Sequence, residues 1–97
     1  MSVFPNKVLY DKDFQKEVSR FPGDIQLKLA SLIELLQKDV FDSRLHTKPL
    51  GPPLQSIFSF RITRDYRVCF EFISPGVIRL LVAGTRGNIY KRIERKL

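Results

Sequence analysis

Ser56-Ile57-Phe58-Ser59-Phe60-Arg61-Ile62-Thr63-Arg64-Asp65-Tyr66-Arg67-Val68-Cys69-Phe70-Glu71-Phe72 decides the fold. Phe58, Phe60 and Ile62 share one parity before the polar break, and Val68, Phe70 and Phe72 share one after it. Alternation of this kind in aromatic and β-branched residues predicts two half-buried strands, at about 56–62 and 66–73. A three-residue connection, Thr63-Arg64-Asp65, sets Ile62 opposite Tyr66, Phe60 opposite Val68 and Phe58 opposite Phe70. A two-residue connection would set Phe60 opposite Cys69 and turn one strand's aromatics to the wrong face, because parity fixes register. The favoured register also puts Arg61 directly opposite Arg67. Facing like charges cost a strand pair about a few tenths of a kcal/mol or more. Fold stability gives no reason for such a pair, whereas binding a phosphate between the two does.

Downstream, Ser74-Pro75-Gly76 predicts a turn with Gly76 in the left-handed conformation. A third strand at about 77–83 then pairs Phe72 with Ile78, Phe70 with Leu80 and Val68 with Val82. That register sets Glu71 opposite Arg79 and brings Leu81 and Ala83 onto the face of Arg67. Upstream, Lys7-Val8-Leu9-Tyr10 reads as a first strand. Asp11 can cap a helix over about 11–21, with Phe14, Val18 and Phe21 on one face. Pro22-Gly23 ends it. Asp24 can cap a longer helix over about 24–39, whose stripe is Ile25, Leu29, Leu32, Ile33, Leu36 and Val40. Leu27 and Leu35 are left over and suggest an exposed groove for another helix. The short link implies a helical hairpin, which must cover the apolar face of the meander because nothing else can. The fold class is α+β.

At 97 residues, 43% hydrophobic and with eight phenylalanines, the chain suits one domain spanning 1–97. No apolar run is long enough to span a bilayer, and the amino terminus has no signal-peptide pattern. One cysteine, Cys69, excludes an internal disulfide and points to a reducing, cytoplasmic setting. With no histidine cluster beside it, no metal is expected. Residues 1–42 carry a net charge of −1 and residues 43–97 a net of +8. That asymmetry points to a nucleic acid or an acidic protein as partner. The loop over 41–55 holds Arg44, the single histidine His46, and Lys48, stiffened by Pro49, Gly51, Pro52 and Pro53. Such loops are common places for function. At the far end, Ile89, Ile93 and Leu97 suit a short helix, and Arg86 falls just past the last strand.

These features together resemble the RelE/ParE superfamily of toxins from toxin–antitoxin pairs. The resemblance runs through Asp11-Lys12-Asp13-Phe14-Gln15-Lys16, Phe21-Pro22, and His46-Thr47-Lys48-Pro49-Leu50-Gly51. It continues in Phe58-Ser59-Phe60-Arg61-Ile62, Asp65-Tyr66-Arg67-Val68, Gly84-Thr85-Arg86 and Ile89-Tyr90. It implies a helical hairpin on one face of a small curved, mainly antiparallel sheet. It also implies metal-independent and cofactor-free cleavage of mRNA on the ribosome, by attack of the RNA 2′-hydroxyl on the scissile phosphate. The implied partners are a cognate antitoxin, the ribosome and mRNA, with no membrane. Arg61 and Arg67 carry over as phosphate contacts, Arg86 as a charge stabiliser and Tyr90 as a stacking or proton-handling residue. His46, Lys48, Arg64, Lys91 and Arg92 are expected to line the RNA. Some relatives have a second basic residue where this chain has Ser59, and others a histidine or lysine where it has Thr85. The general acid and base are therefore open among His46, Glu71 and Tyr90. The competing readings are a gyrase inhibitor without nuclease activity, and a degenerate module that binds only antitoxin or RNA.

Overall fold

The computed structural model describes residues 5–97. Its strands are β1 (Lys7–Tyr10), β2 (Lys48–Pro49), β3 (Ile57–Arg61), β4 (Tyr66–Ser74) and β5 (Val77–Thr85). Its helices are α1 (Phe14–Val18), α2 (Gly23–Lys38) and α3 (Ile89–Lys96), and a 3-10 turn, Ser43–Leu45, precedes β2. One sheet has the order β1-β5-β4-β3-β2; β1 runs parallel to β5 and every other neighbour is antiparallel. The predicted α+β class and helical hairpin are both found.

The register of β3 on β4 is the one parity demanded: Phe58 faces Phe70, Phe60 faces Val68 and Arg61 faces Arg67. Phe60, Val68, Phe70, Ile78 and Leu80 are fully buried against Phe14, Ile25, Leu29, Leu32 and Leu36 of the helices. Burial of each such side chain stabilises by roughly 1.5–3 kcal/mol, so this face holds the fold together. Between β4 and β5, Phe72 faces Ile78, Glu71 faces Arg79 and Phe70 faces Leu80, as expected. A bulge then shifts the register, because Cys69 pairs with Val82 and Val68 with Ala83 rather than Val82. Leu81 is the extra residue. The bulge lets Leu81 and Val82 both turn away from the hairpin, whereas Ala83 enters the core beneath it. Ala83 therefore does not share the face of Arg67; Gly84 stands opposite that arginine instead. At the turn Gly76 is left-handed (φ 76°), and the connection is tighter than predicted, with Ser74 paired to Val77.

Two capping expectations fail. α1 begins after Asp13 and spans five residues, far short of 11–21; the Asp11 carboxylate accepts from the Asp13 N–H. α2 begins at Gly23 behind Pro22, whose carbonyl accepts from Ile25 and Gln26, so Asp24 lies inside the first turn. Proline without an N–H suits a helix start. Leu27 is exposed as expected, but Leu35 is half-buried against the core.

The second face of the sheet is partly covered. Ile89 and Ile93 of α3 pack with Ile57, Cys69, Leu81 and Val82, joined by Leu50 and Leu54. Leu97, the third member of the predicted stripe, is exposed. Ion pairs tie α3 back to the α1 end: Arg92 to Glu17, and Lys96 to Asp11 at 2.6 Å. The Lys96 ammonium holds the Asp11 carboxyl below its ordinary value of 3.8. A carboxyl depressed in the folded state adds stability above its unfolded pKa and loses it as the pH falls through the folded one. We expect wild type to exceed Lys96→Ala by about a few tenths of a kcal/mol at pH 6. The gap should close as the pH falls below 3.8 and through the depressed folded-state pKa, as urea unfolding across that range would show.

Candidate functional site

The face opposite the hairpin is apolar under α3 and cationic beside it. Residues 57, 59 and 61 of β3 and 67, 69 and 71 of β4 share this face by parity. Toward the β3–β4 loop the apolar pair Ile57 and Cys69 gives way to Ser59, Arg61 and Arg67. β2 adds Lys48 directly opposite Ser59. The chain enters β2 from the Arg61 end of β3, which brings the loop containing His46 to the same end. That loop is held firmly. Leu45 is fully buried, the Thr47 hydroxyl donates to the Val40 carbonyl at 2.6 Å, and Asp42 caps the 3-10 turn through the Arg44 N–H. Arg44 folds its guanidinium onto the same Asp42 carboxylate, which is held down at about 2 by these hydrogen bonds. Arg44 is therefore occupied locally. His46 is exposed and in the left-handed region (φ 53°).

On the other side, the Arg86 N–H donates to the Asp65 carbonyl at 2.8 Å. That bond ties the end of β5 to the loop separating Arg61 from Arg67. Arg86 and Arg64 are both exposed there. Tyr90 lies in the first turn of α3 with 37% of its surface free, and Lys91 beside it is exposed. Lys48, Arg61, Arg67, Arg64 and Arg86 thus converge on one end of the sheet, with His46 at its border.

The electrostatics of this end are unfavourable as they stand. Arg67 is 8% exposed, yet neither its guanidinium nor that of Arg61 has an ion pair or hydrogen bond with a described residue. The buried side-chain atoms without a partner among the described residues are Glu17 Oε1, Ser59 Oγ, Arg61 Nε and Arg67 Nε. Three of the four belong to this corner. A buried, unpaired cation facing a second cation costs stability, and an anion bound between them would remove that cost.

Two expected site residues stand elsewhere. Arg92 is a tether: Nη1 donates to the Ala83 carbonyl at 2.7 Å while the guanidinium pairs with Glu17. Gly84 permits it, since a Cβ there would lie 2.8 Å from Arg92 Nη1. Glu71 shares the face but lies four residues along β4 from Arg67, about 13 Å away at strand spacing, opposite Ile57 and Arg79. Ser59 shares parity with Arg61 and so stands on this same face.

No family model and no curated protein matches the sequence. Solved structures do match, along nearly their whole length. The chain is similar to RelE in the RelE–RelB complex of Pyrococcus horikoshii OT3 at 19% identity and TM-score 0.71, covering 86% of this chain and 97% of that one. It is similar to a chain of the RelB–RelE antitoxin–toxin complex of Methanococcus jannaschii at 22% identity and TM-score 0.69, covering 87% and 96%. The E. coli DinJ–YafQ toxin–antitoxin complex gives 16% identity and TM-score 0.71, covering 89% and 98%. The fold of this chain is RelE-like.

Proposed function

We propose that this protein is the toxin of a toxin–antitoxin pair, an endoribonuclease that cuts mRNA on the ribosome in the cytoplasm and is held inactive by an antitoxin. One observation carries the reading: buried Arg67 and half-buried Arg61 face each other, their side chains without a partner among the described residues, at the corner where Lys48, Arg64 and Arg86 gather. Attack of a 2′-hydroxyl forms the O2′–P bond and breaks the P–O5′ bond, leaving a 2′,3′-cyclic phosphate and a free 5′-hydroxyl. Negative charge grows on the phosphoryl oxygens as it does so. Guanidinium groups already fixed around the phosphate stabilise that charge without reorganising. We assign the proton leaving O2′ and the one arriving at O5′ to His46, exposed at the border of the corner, and to Tyr90, exposed in the first turn of α3. Complexes of RelE with RelB and of YafQ with DinJ support an antitoxin as partner. The net charge of +7 favours an acidic segment that folds on binding.

Induced expression with separate readouts of protein synthesis and DNA supercoiling tests the reading. Arrest of synthesis with supercoiling unchanged is expected, together with recovery on co-expression of a small acidic protein encoded beside this one. Loss of supercoiling with mRNA intact would replace the nuclease by a gyrase inhibitor.

A further inference from the structure

Ser59 sits at the centre of the cationic corner. Lys48 is directly across from it on β2, Arg61 is two residues along β3, and Arg67 is its diagonal neighbour on β4. Its side chain is 1% exposed, and its hydroxyl has no hydrogen-bond partner among the described residues. A buried serine normally bonds to a nearby carbonyl or donor, and one left unpaired costs about 1–3 kcal/mol. Two unpaired Nε–H donors lie on adjacent positions of the same face, yet the Oγ accepts from neither. Packing alone would favour alanine at this place.

We infer that Ser59 is the third donor of the phosphate site, its O–H bonding a non-bridging phosphoryl oxygen of the RNA backbone beneath the two guanidinium groups. The inference rests on the nuclease reading and adds a residue to its site. A hydroxyl suits a position flanked by Lys48, Arg61 and Arg67, because it donates without adding a further charge. The Nη groups of Arg61 and Arg67 are held by no described residue, so they are free to swing onto an arriving phosphate. A phosphate admitted beside them would give the two Nε–H groups and the Oγ, all without a partner among the described residues, an acceptor.

The experiment is a titration with inorganic phosphate, followed by backbone amide shifts, on wild type, Ser59→Ala, Ser59→Thr, Arg61→Ala and Arg67→Ala, with thermal unfolding of each. Ser59→Ala is expected to unfold at the same or a higher temperature and to bind phosphate about 10-fold more weakly, the effect of one hydrogen bond to a charged group. Ser59→Thr, which keeps the hydroxyl, should recover most of the affinity. If Ser59→Ala binds phosphate as wild type does while Arg67→Ala does not, the serine assignment is overturned and the arginine site stands. Easier unfolding of Ser59→Ala would make the hydroxyl structural and overturn the assignment equally. If no arginine variant changes phosphate binding, the site itself is wrong and the serine goes with it.

Discussion

Arg61→Ala is expected to unfold no more readily than wild type, and both Arg61→Ala and Arg67→Ala to cleave ribosome-bound mRNA roughly 100-fold or more slowly, the usual effect of losing a transition-state charge contact. The two halves of that result come from one geometry. The guanidinium groups face each other with no described partner, so removing one relieves repulsion of about a few tenths of a kcal/mol or more. Arg67 also buries its aliphatic stem, and alanine forfeits that packing. Arg67→Met keeps the stem and discards the charge, and should be the more stable of the two. Lysine at either position should restore activity only in part, since it keeps the charge but loses the planar fork. Thermal unfolding beside a cleavage assay separates the outcomes. Easy unfolding with full activity would make the pair structural.

Arg92→Ala should behave in the opposite way. Its guanidinium bonds the Ala83 carbonyl and the Glu17 carboxylate, fixing α3 to β5 and α1. Glu17 is 17% exposed in its side chain, so losing the arginine leaves a largely buried carboxylate without its cation. A loss of about 2 kcal/mol is expected, in the range for hydrogen bonds to charged groups. Gly84→Ala should show a weaker form of the same defect by pushing Nη1 off its acceptor. Urea unfolding of both proteins checks this. An Arg92→Ala protein of unchanged stability would return that residue to the RNA-contacting surface.

The contrast between these arginines shows how far sequence reaches. Arg61 and Arg67 were readable because alternation over 58–72 leaves one workable register, and register alone puts them face to face. Arg92 was not, because its partner Glu17 is 75 positions away and α3, which carries Arg92, packs on Leu81 and Val82, both turned to that face by the bulge. That bulge sits in Leu80-Leu81-Val82-Ala83, four apolar residues without alternation, so nothing in the sequence marks which one is extra. α1 was overestimated because Phe14, Val18 and Phe21 keep helical spacing through a segment that leaves the helix after Val18. The hairpin's burial of the Phe-rich face, in contrast, followed from composition and connection lengths, with no other apolar surface available to meet it.

The most direct measurement of the central claim is mapping of mRNA ends after the purified protein meets ribosomes programmed with a defined message. Cuts confined to the codon in the aminoacyl site are expected, with 2′,3′-cyclic phosphate and 5′-hydroxyl ends. They should be absent without ribosomes and absent with Arg61→Ala or Arg67→Ala. Intact message under those conditions, or cuts that persist in both arginine variants, would contradict the account.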